Sequence, residues 1–196
     1  MIIDELKRLK NGSYSISCNN ESYVFDEDVI VEYRLVKGKE ITEEILAAAA
    51  KKNDLMEYYH KALNYSLRYG KNSNATYDFL IKNGLSDNQA DKIISMLSSN
   101  KIIDDSILLE GQIAGLVRRK YGILYIKEKL RERKFPLELI NQFIGKIDWE
   151  LYYSNMNSLY LEALKRYNGE PFIVKAKAKK YLASRGFSYD DLNHLD

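Results

Sequence analysis

The sharpest periodicity in the chain lies between Trp149 and Tyr167. Trp149, Tyr152, Tyr153, Met156, Leu159, Ala163, Leu164 and Tyr167 fall at offsets 0, 3, 4, 7, 10, 14, 15 and 18. That spacing lines apolar side chains along one stripe of an α-helix. Asn168-Gly169-Glu170-Pro171 breaks it; Val174–Ser184 predicts a second helix and Asp190–Leu195 a short third. Ser188-Tyr189-Asp190-Asp191 opens the last one with the form of a capping box. A similar trio precedes it. Asp104-Asp105 caps a helix over 106–120 with Leu109, Ile113, Leu116 and Val117 inward, and Gly122 reads as its stop. A middle helix follows over Tyr125–Lys134, and Pro136 suits the first helical position of a third, whose stripe is Leu139, Ile140, Phe143, Ile144 and Ile147. From residue 54 a first trio is predicted: the stripe Leu55, Tyr59, Ala62, Leu63 and Ser66; a short helix Tyr77–Asn83 capped near Asn72 or Asn74; and Ala90, Ile93, Ile94 and Leu97 behind the capping box Ser86-Asp87-Asn88-Gln89.

The front of the chain changes period. Tyr14–Cys18 and Ser22–Phe25 alternate and are rich in β-formers, with Asn19-Asn20-Glu21 between them, so they predict a hairpin. Val29–Leu35 fits a strand by its β-branched run or a short helix by the preceding Asp26-Glu27-Asp28. Thr42, followed by Glu43 and Glu44, starts a helix through Ala47–Ala50.

The three trios align on one another. Leu80, Leu130 and Leu182 correspond, as do Gly84, Lys134 and Gly186, then Leu85, Phe135 and Phe187, with steps of 50 and 52 residues between the leucines. A recurring step of this size predicts a helical repeat array. The expected fold is therefore mainly α: three tandem three-helix repeats at 54–103, 104–148 and 149–196, forming an elongated curved array behind an N-terminal hairpin segment and linking helix at 1–53.

Composition narrows the function classes. A single cysteine, Cys18, excludes an internal disulfide framework and fits a reducing compartment. The opening Met1-Ile2-Ile3-Asp4-Glu5 lacks the features of a signal peptide, and no stretch is long and apolar enough to span a bilayer. The expectation is a cytoplasmic protein without a membrane partner. No Walker-type loop, dinucleotide-binding glycine pattern or HExxH is present. Cys18, His60 and His194 make a poor zinc or catalytic set. Asp104-Asp105 and Asp190-Asp191 sit where helices start, so they read as caps, and the Trp149–Tyr167 stripe reads as core. The chain is expected to be no enzyme and to need no cofactor or metal.

Charge is more informative in its distribution than in its sum of +2. Residues 1–60 hold eight Lys/Arg against twelve Asp/Glu, whereas residues 111–162 hold nine against six and 163–196 seven against four. The basic back half points to a polyanion or an acidic partner. The contact candidates are Arg118, Arg119, Lys120, Lys127, Lys129, Arg131 and Arg133 in the second repeat, and Lys175, Lys179, Lys180 and Arg185 in the third. Lys127 and Arg131, Lys129 and Arg133, and Lys175 and Lys179 are each four apart, so each pair shares a helix flank. Such residues meet phosphates or carboxylates.

Several of these residues carry a family resemblance. Tyr181-Leu182-Ala183-Ser184-Arg185-Gly186-Phe187 is similar to the closing pattern of the RecX family, regulators of the RecA recombinase: a Leu, then Arg-Gly-Phe. Ile103-Asp104-Asp105 with Leu108 resembles the opening of that family's second unit, and Lys120-Tyr121-Gly122 with Ile126 and Leu130 resembles its Lys-x-Gly before the middle helix. Tyr14–Phe25 and Tyr33–Lys39 look like the extra N-terminal segment of longer members. The family's Arg-x-Arg-Ser run is replaced by Tyr69, Lys71 and Asn72 at the matching places. The resemblance implies a non-catalytic monomer that binds the RecA–DNA filament, with direct contact to single- or double-stranded DNA possible. It further implies that the protein modulates, most often inhibits, recombinase activity in recombination and repair.

Overall fold

The computed structural model describes residues Met1–Leu195. They form a three-stranded antiparallel sheet and ten helices, and divide into two compact units. The first unit comprises Met1–Tyr69 and Tyr77–Ile102; the second comprises Gly70–Thr76 and the chain from Ile103 onward.

In the first unit the hairpin forms as the alternation predicts. Strands β2 (Tyr14–Cys18) and β3 (Glu21–Phe25) pair in the register Ile16↔Tyr23 and Cys18↔Glu21. The turn is only two residues, Asn19 and Asn20, at φ 53° and 66°. Both left-handed conformations match the right-handed strand twist, and asparagine tolerates them. Ile16 and Cys18 point into the core. A strand the periodicity does not announce, β1 (Glu5–Arg8), pairs with the far side of β2. Three of its four residues are exposed, so it carries little apolar signal of its own. The ambiguous Val29–Leu35 stretch begins as a helix, α1 (Glu27–Glu32), because the Asp26 carboxylate accepts the Asp28 N–H at 3.0 Å and caps it.

Helix α2 (Glu43–Tyr69) runs unbroken for 27 residues, through the expected boundary at 53/54. Nothing between Asn53 and Leu55 breaks a helix: there is no glycine or proline, and the buried positions Leu46, Ala49, Met56, Tyr59 and Ala62 continue one stripe. It pairs with α4 (Asp87–Ser99), whose Ala90, Ile93 and Leu97 are wholly buried. Between them α3 (Ser73–Lys82) begins four residues before the predicted Tyr77, because Asn72 caps it by accepting the Ala75 N–H at 2.9 Å.

The second unit holds two helical trios. Helices α5 (Asp105–Arg118), α6 (Ile123–Glu132) and α7 (Leu137–Ile144) enclose Leu109, Ile113, Leu116, Ile126, Leu130, Phe135 and Ile140. Asp104 caps α5 through the N–H groups of Ser106 and Ile107. Helices α8 (Trp149–Arg166), α9 (Pro171–Ser184) and α10 (Tyr189–Asn193) enclose Tyr152, Met156, Leu159, Ala163, Ala178, Leu182 and Phe187. The aromatic stripe is thus core, with Trp149 at its partly exposed end. Pro171 opens α9 at its first position rather than merely ending α8, where its missing N–H is no loss. In one trio α5 packs on both α6 and α7; in the other α9 packs on both α8 and α10.

The alignment of Gly84, Lys134 and Gly186 has a physical basis. All three adopt a left-handed conformation, at φ 94°, 66° and 88°. Each ends a middle helix, and the next residue's N–H returns to the aligned leucine carbonyl: Leu85 to Leu80, Phe135 to Leu130 and Phe187 to Leu182, at 3.1–3.3 Å. This is the Schellman arrangement, which satisfies the last carbonyls while driving the following apolar side chain into the core.

Candidate functional site

The basic candidates all lie in the second unit, and the structure sorts them into two groups. The first group is committed within the chain. Arg185, at the C-terminal end of α9, donates from Nη2 to the backbone carbonyls of Arg119 (2.6 Å) and Lys120 (3.2 Å). Its guanidinium lies 4.1 Å from the centre of the Tyr121 ring, which stacks on Tyr125. Its buried Nε has no hydrogen-bond partner. Lys120 takes a left-handed conformation at φ 59° and donates to Ser158 Oγ (2.9 Å) and Glu162 Oε1 (3.1 Å). The bond from Lys120, helped by Ser158, holds the Glu162 carboxyl below its ordinary value. Arg133 donates to Gln112 of α5 at 2.7 Å, and Lys129 pairs with Glu132 at 2.6 Å.

The second group faces outward. Arg118, Arg131, Lys175 and Lys180 are exposed, Lys127 is half-buried, and none of the five has an acceptor among the described residues. Arg119 is exposed and its Nε reaches only the Gly115 carbonyl of its own helix. Lys179 is half-buried on α9. The i,i+4 spacing separates two flanks of α6: Ile126 and Leu130 face the core, Lys127 and Arg131 lie to one side of them, and Lys129 and Arg133 lie to the other. The latter flank is the one paired with Glu132 and Gln112.

Arg185 and Lys120 belong to a joint that spacing alone did not reveal. The first three N–H groups of α6 have no partner inside that helix. The α8–α10 trio supplies all of them. Gly122 donates to Arg185 O (2.9 Å), Ile123 to the Tyr152 hydroxyl (3.1 Å) and Leu124 to Gly186 O (2.9 Å). The same trio caps the other side of the turn, where Asn155 donates to the last-turn carbonyl of Val117 at 3.0 Å. Gly122 is not simply a stop. A β-carbon there would sit 2.2 Å from the backbone of Gly186 and Phe187, and one on Gly186 would sit 2.4 Å from Tyr125. The Tyr152 hydroxyl also donates to Asp191 (3.0 Å), whose carboxylate accepts the Ser188 N–H and hydroxyl of the capping box. Burial, with the Asp191 charge behind it, pushes the Tyr152 phenol above its ordinary value. At the place fifty residues earlier, Asn72 and Asn74 donate to the carbonyls of Arg133 and Lys134. Asn72, at the serine place of the family's Arg-x-Arg-Ser run, is buried and structural.

The remaining candidates separate as well. Cys18 is buried in β2, His60 bonds Asp26 at 2.7 Å, and His194 lies against the Tyr153 ring. Among the described residues, no helix is long and apolar enough to cross a membrane.

The fold of the chain recurs in solved structures. A solved structure of regulatory protein RecX superposes with a TM-score of 0.82, covering 98% of this chain and 97% of that one at 21% identity. RecX from Lactobacillus salivarius gives 0.69 over 74% of this chain at 20% identity. These establish the fold. The sequence is similar as well: regulatory protein RecX of Streptococcus uberis is 28% identical over 192 residues, 96% of this chain and 72% of that protein. Along nearly its whole length the chain resembles regulatory proteins named RecX, in sequence and in fold. RecX of Clostridioides difficile is 25% identical over 86% of the chain, and RecX of Geobacillus kaustophilus 24% over 84%. The chain spans 62% of the Geobacillus kaustophilus RecX, so part of that relative has no counterpart here. No family model matches the chain.

Proposed function

We propose that this RecX-family chain is a non-catalytic monomeric regulator that binds the RecA–DNA filament and lowers recombinase and ATPase activity in recombination and repair. The relationship to RecX proteins along nearly the whole chain carries this reading. The cations without an acceptor among the described residues, Arg118, Lys127, Arg131, Lys175 and Lys180, with Arg119, are its contact residues. They retain hydrogen-bonding capacity, whereas Lys120, Arg133 and Arg185 use theirs between helices of the second unit and Lys129 pairs with Glu132 of its own helix. Several modest contacts distributed over a repeating filament multiply by avidity, so no single strong site is required. Some contacts reach DNA phosphates directly; others meet acidic side chains of the recombinase.

The test is co-sedimentation with the cognate recombinase filament and with bare single-stranded DNA, over a salt titration, alongside ATPase turnover. Filament binding with reduced turnover is the expected result. Unchanged turnover over a broad titration overturns the reading. Equal binding to bare DNA, with a steep salt slope of about −0.7 per phosphate contact, would instead assign the chain to recombinase-independent DNA binding.

A further inference from the structure

Helices α1, α2 and α4 of the first unit border a groove of about 580 Å³. That lies within the range of ligand-binding clefts, roughly 300–1,000 Å³. Its floor is aliphatic: Ala48 and Leu55 come from α2 and Met96 from α4. Its rim is cationic, with Lys51 and Lys52 on α2 and Lys92 on α4. Lys52 is paired with Glu32 at 3.1 Å. Lys51 and Lys92 are exposed, stand on different helices and have no acceptor among the described residues.

Two further donors border the same space. Gln89 commits its side-chain oxygen to Ser86, accepting the N–H at 3.1 Å and the hydroxyl at 2.8 Å, which leaves its amide N–H groups available. The Tyr33 hydroxyl has only a long bond, 3.4 Å, to the Ala48 carbonyl. The rim therefore offers positive charge and donors, and its one acidic group, Glu32, is already paired. This departs from its surroundings, since residues 1–60 carry eight Lys/Arg against twelve Asp/Glu.

We infer that this groove binds a short acidic amphipathic peptide, with an apolar side chain on Leu55 and Met96 and flanking carboxylates on Lys51 and Lys92. Charge complementarity chooses the anion, and the floor chooses its body. A phosphodiester strand has no aliphatic side chain for that floor. The inference uses only residues of the first unit and is independent of the filament contacts proposed above.

The test is fluorescence anisotropy on the full chain with a labelled peptide of four Asp-Glu-Leu repeats. Its controls are the Asn-Gln-Leu counterpart and an oligothymidylate of similar length. The acidic peptide should bind saturably, and the amide peptide about tenfold more weakly or less. Lys51→Glu with Lys92→Glu should weaken the acidic peptide by about tenfold or more while leaving oligothymidylate binding unchanged. Circular dichroism checks that the double variant folds; Lys51→Ala with Lys92→Ala serves if it does not, with a loss of about fivefold. The inference is overturned by absence of saturable peptide binding or by equal binding of the amide peptide. It is also overturned if folded lysine variants keep wild-type affinity, or if oligothymidylate binding is the one the variants abolish.

Discussion

Replacing Gly122 with alanine tests the joint between the α5–α7 and α8–α10 trios. Gly122 has φ −78° and ψ 161°, so alanine meets no conformational strain in its own backbone. The obstacle is external. The new β-carbon would lie 2.2 Å from Gly186 C and O and from Phe187 N, all backbone atoms that no rotamer change can move. The joint must open until those distances reach ordinary contact, 3.4 Å or more. Such an opening breaks the Gly122–Arg185 and Leu124–Gly186 hydrogen bonds, each 2.9 Å long. Two bonds at about 1 kcal/mol each, with about 1–3 kcal/mol for overpacking, give a loss of about 3–5 kcal/mol. Against a typical domain stability of about 5–15 kcal/mol, that is a large share. Gly84→Ala is the matched control: its φ of 94° is unfavourable to alanine, but nothing lies within 4 Å of the added carbon. Its cost is the left-handed conformation alone, about 1–2 kcal/mol. Equilibrium urea unfolding followed by circular dichroism measures both. A Gly122→Ala variant within about 1 kcal/mol of wild type, or no worse than Gly84→Ala, would refute the close approach as a stabilising element.

Three further outcomes are expected. Arg185→Ala should cost about 1.5–3 kcal/mol in urea unfolding, because charge-assisted bonds to two carbonyls and the Tyr121 ring contact are lost. Tyr152 has a folded-state pKa raised above its ordinary value near 10, so the unfolded chain loses that proton first as pH rises. Its stabilisation is intact below about pH 10 and declines above it. Tyr152→Phe should flatten that alkaline decline in pH-dependent urea unfolding, while weakening the protein by about 1–3 kcal/mol at neutral pH through the unpaired Ile123 N–H and the bond lost to Asp191. Reversing Arg118, Arg119, Lys127 and Arg131 to Glu should weaken filament co-sedimentation at unchanged helicity; wild-type affinity would remove them from the interface.

Most of the helices, the hairpin and the recurring helix ends were legible in the sequence, each for a local reason. Apolar spacing marks a buried stripe because a helix turns by a fixed amount per residue, as from Trp149 to Tyr167. The caps at Asp104, Ser86 and Ser188 were readable because they bond N–H groups two or three residues away or sit in a capping box. Even Lys134, with no glycine to advertise it, could be placed by alignment with Gly84 and Gly186, and all three share the left-handed conformation.

What the sequence left open depends on partners distant in the chain. Strand β1 exists because β2 supplies its ladder, and Glu5–Arg8 alone has no apolar alternation to announce it. Among the basic residues, Lys127 and Arg133 look alike in sequence; only packing put Gln112 within 2.7 Å of Arg133, while Lys127 has no acceptor among the described residues. Gly122 and Gly186 each read as local punctuation. Their shared role, letting two backbones meet closely enough for α6 to draw its missing acceptors from another trio, arises between residues 64 positions apart. Local rules carry information across about one helical turn. Which donor, acceptor or charge remains for a partner is decided by the contacts that folding has already used.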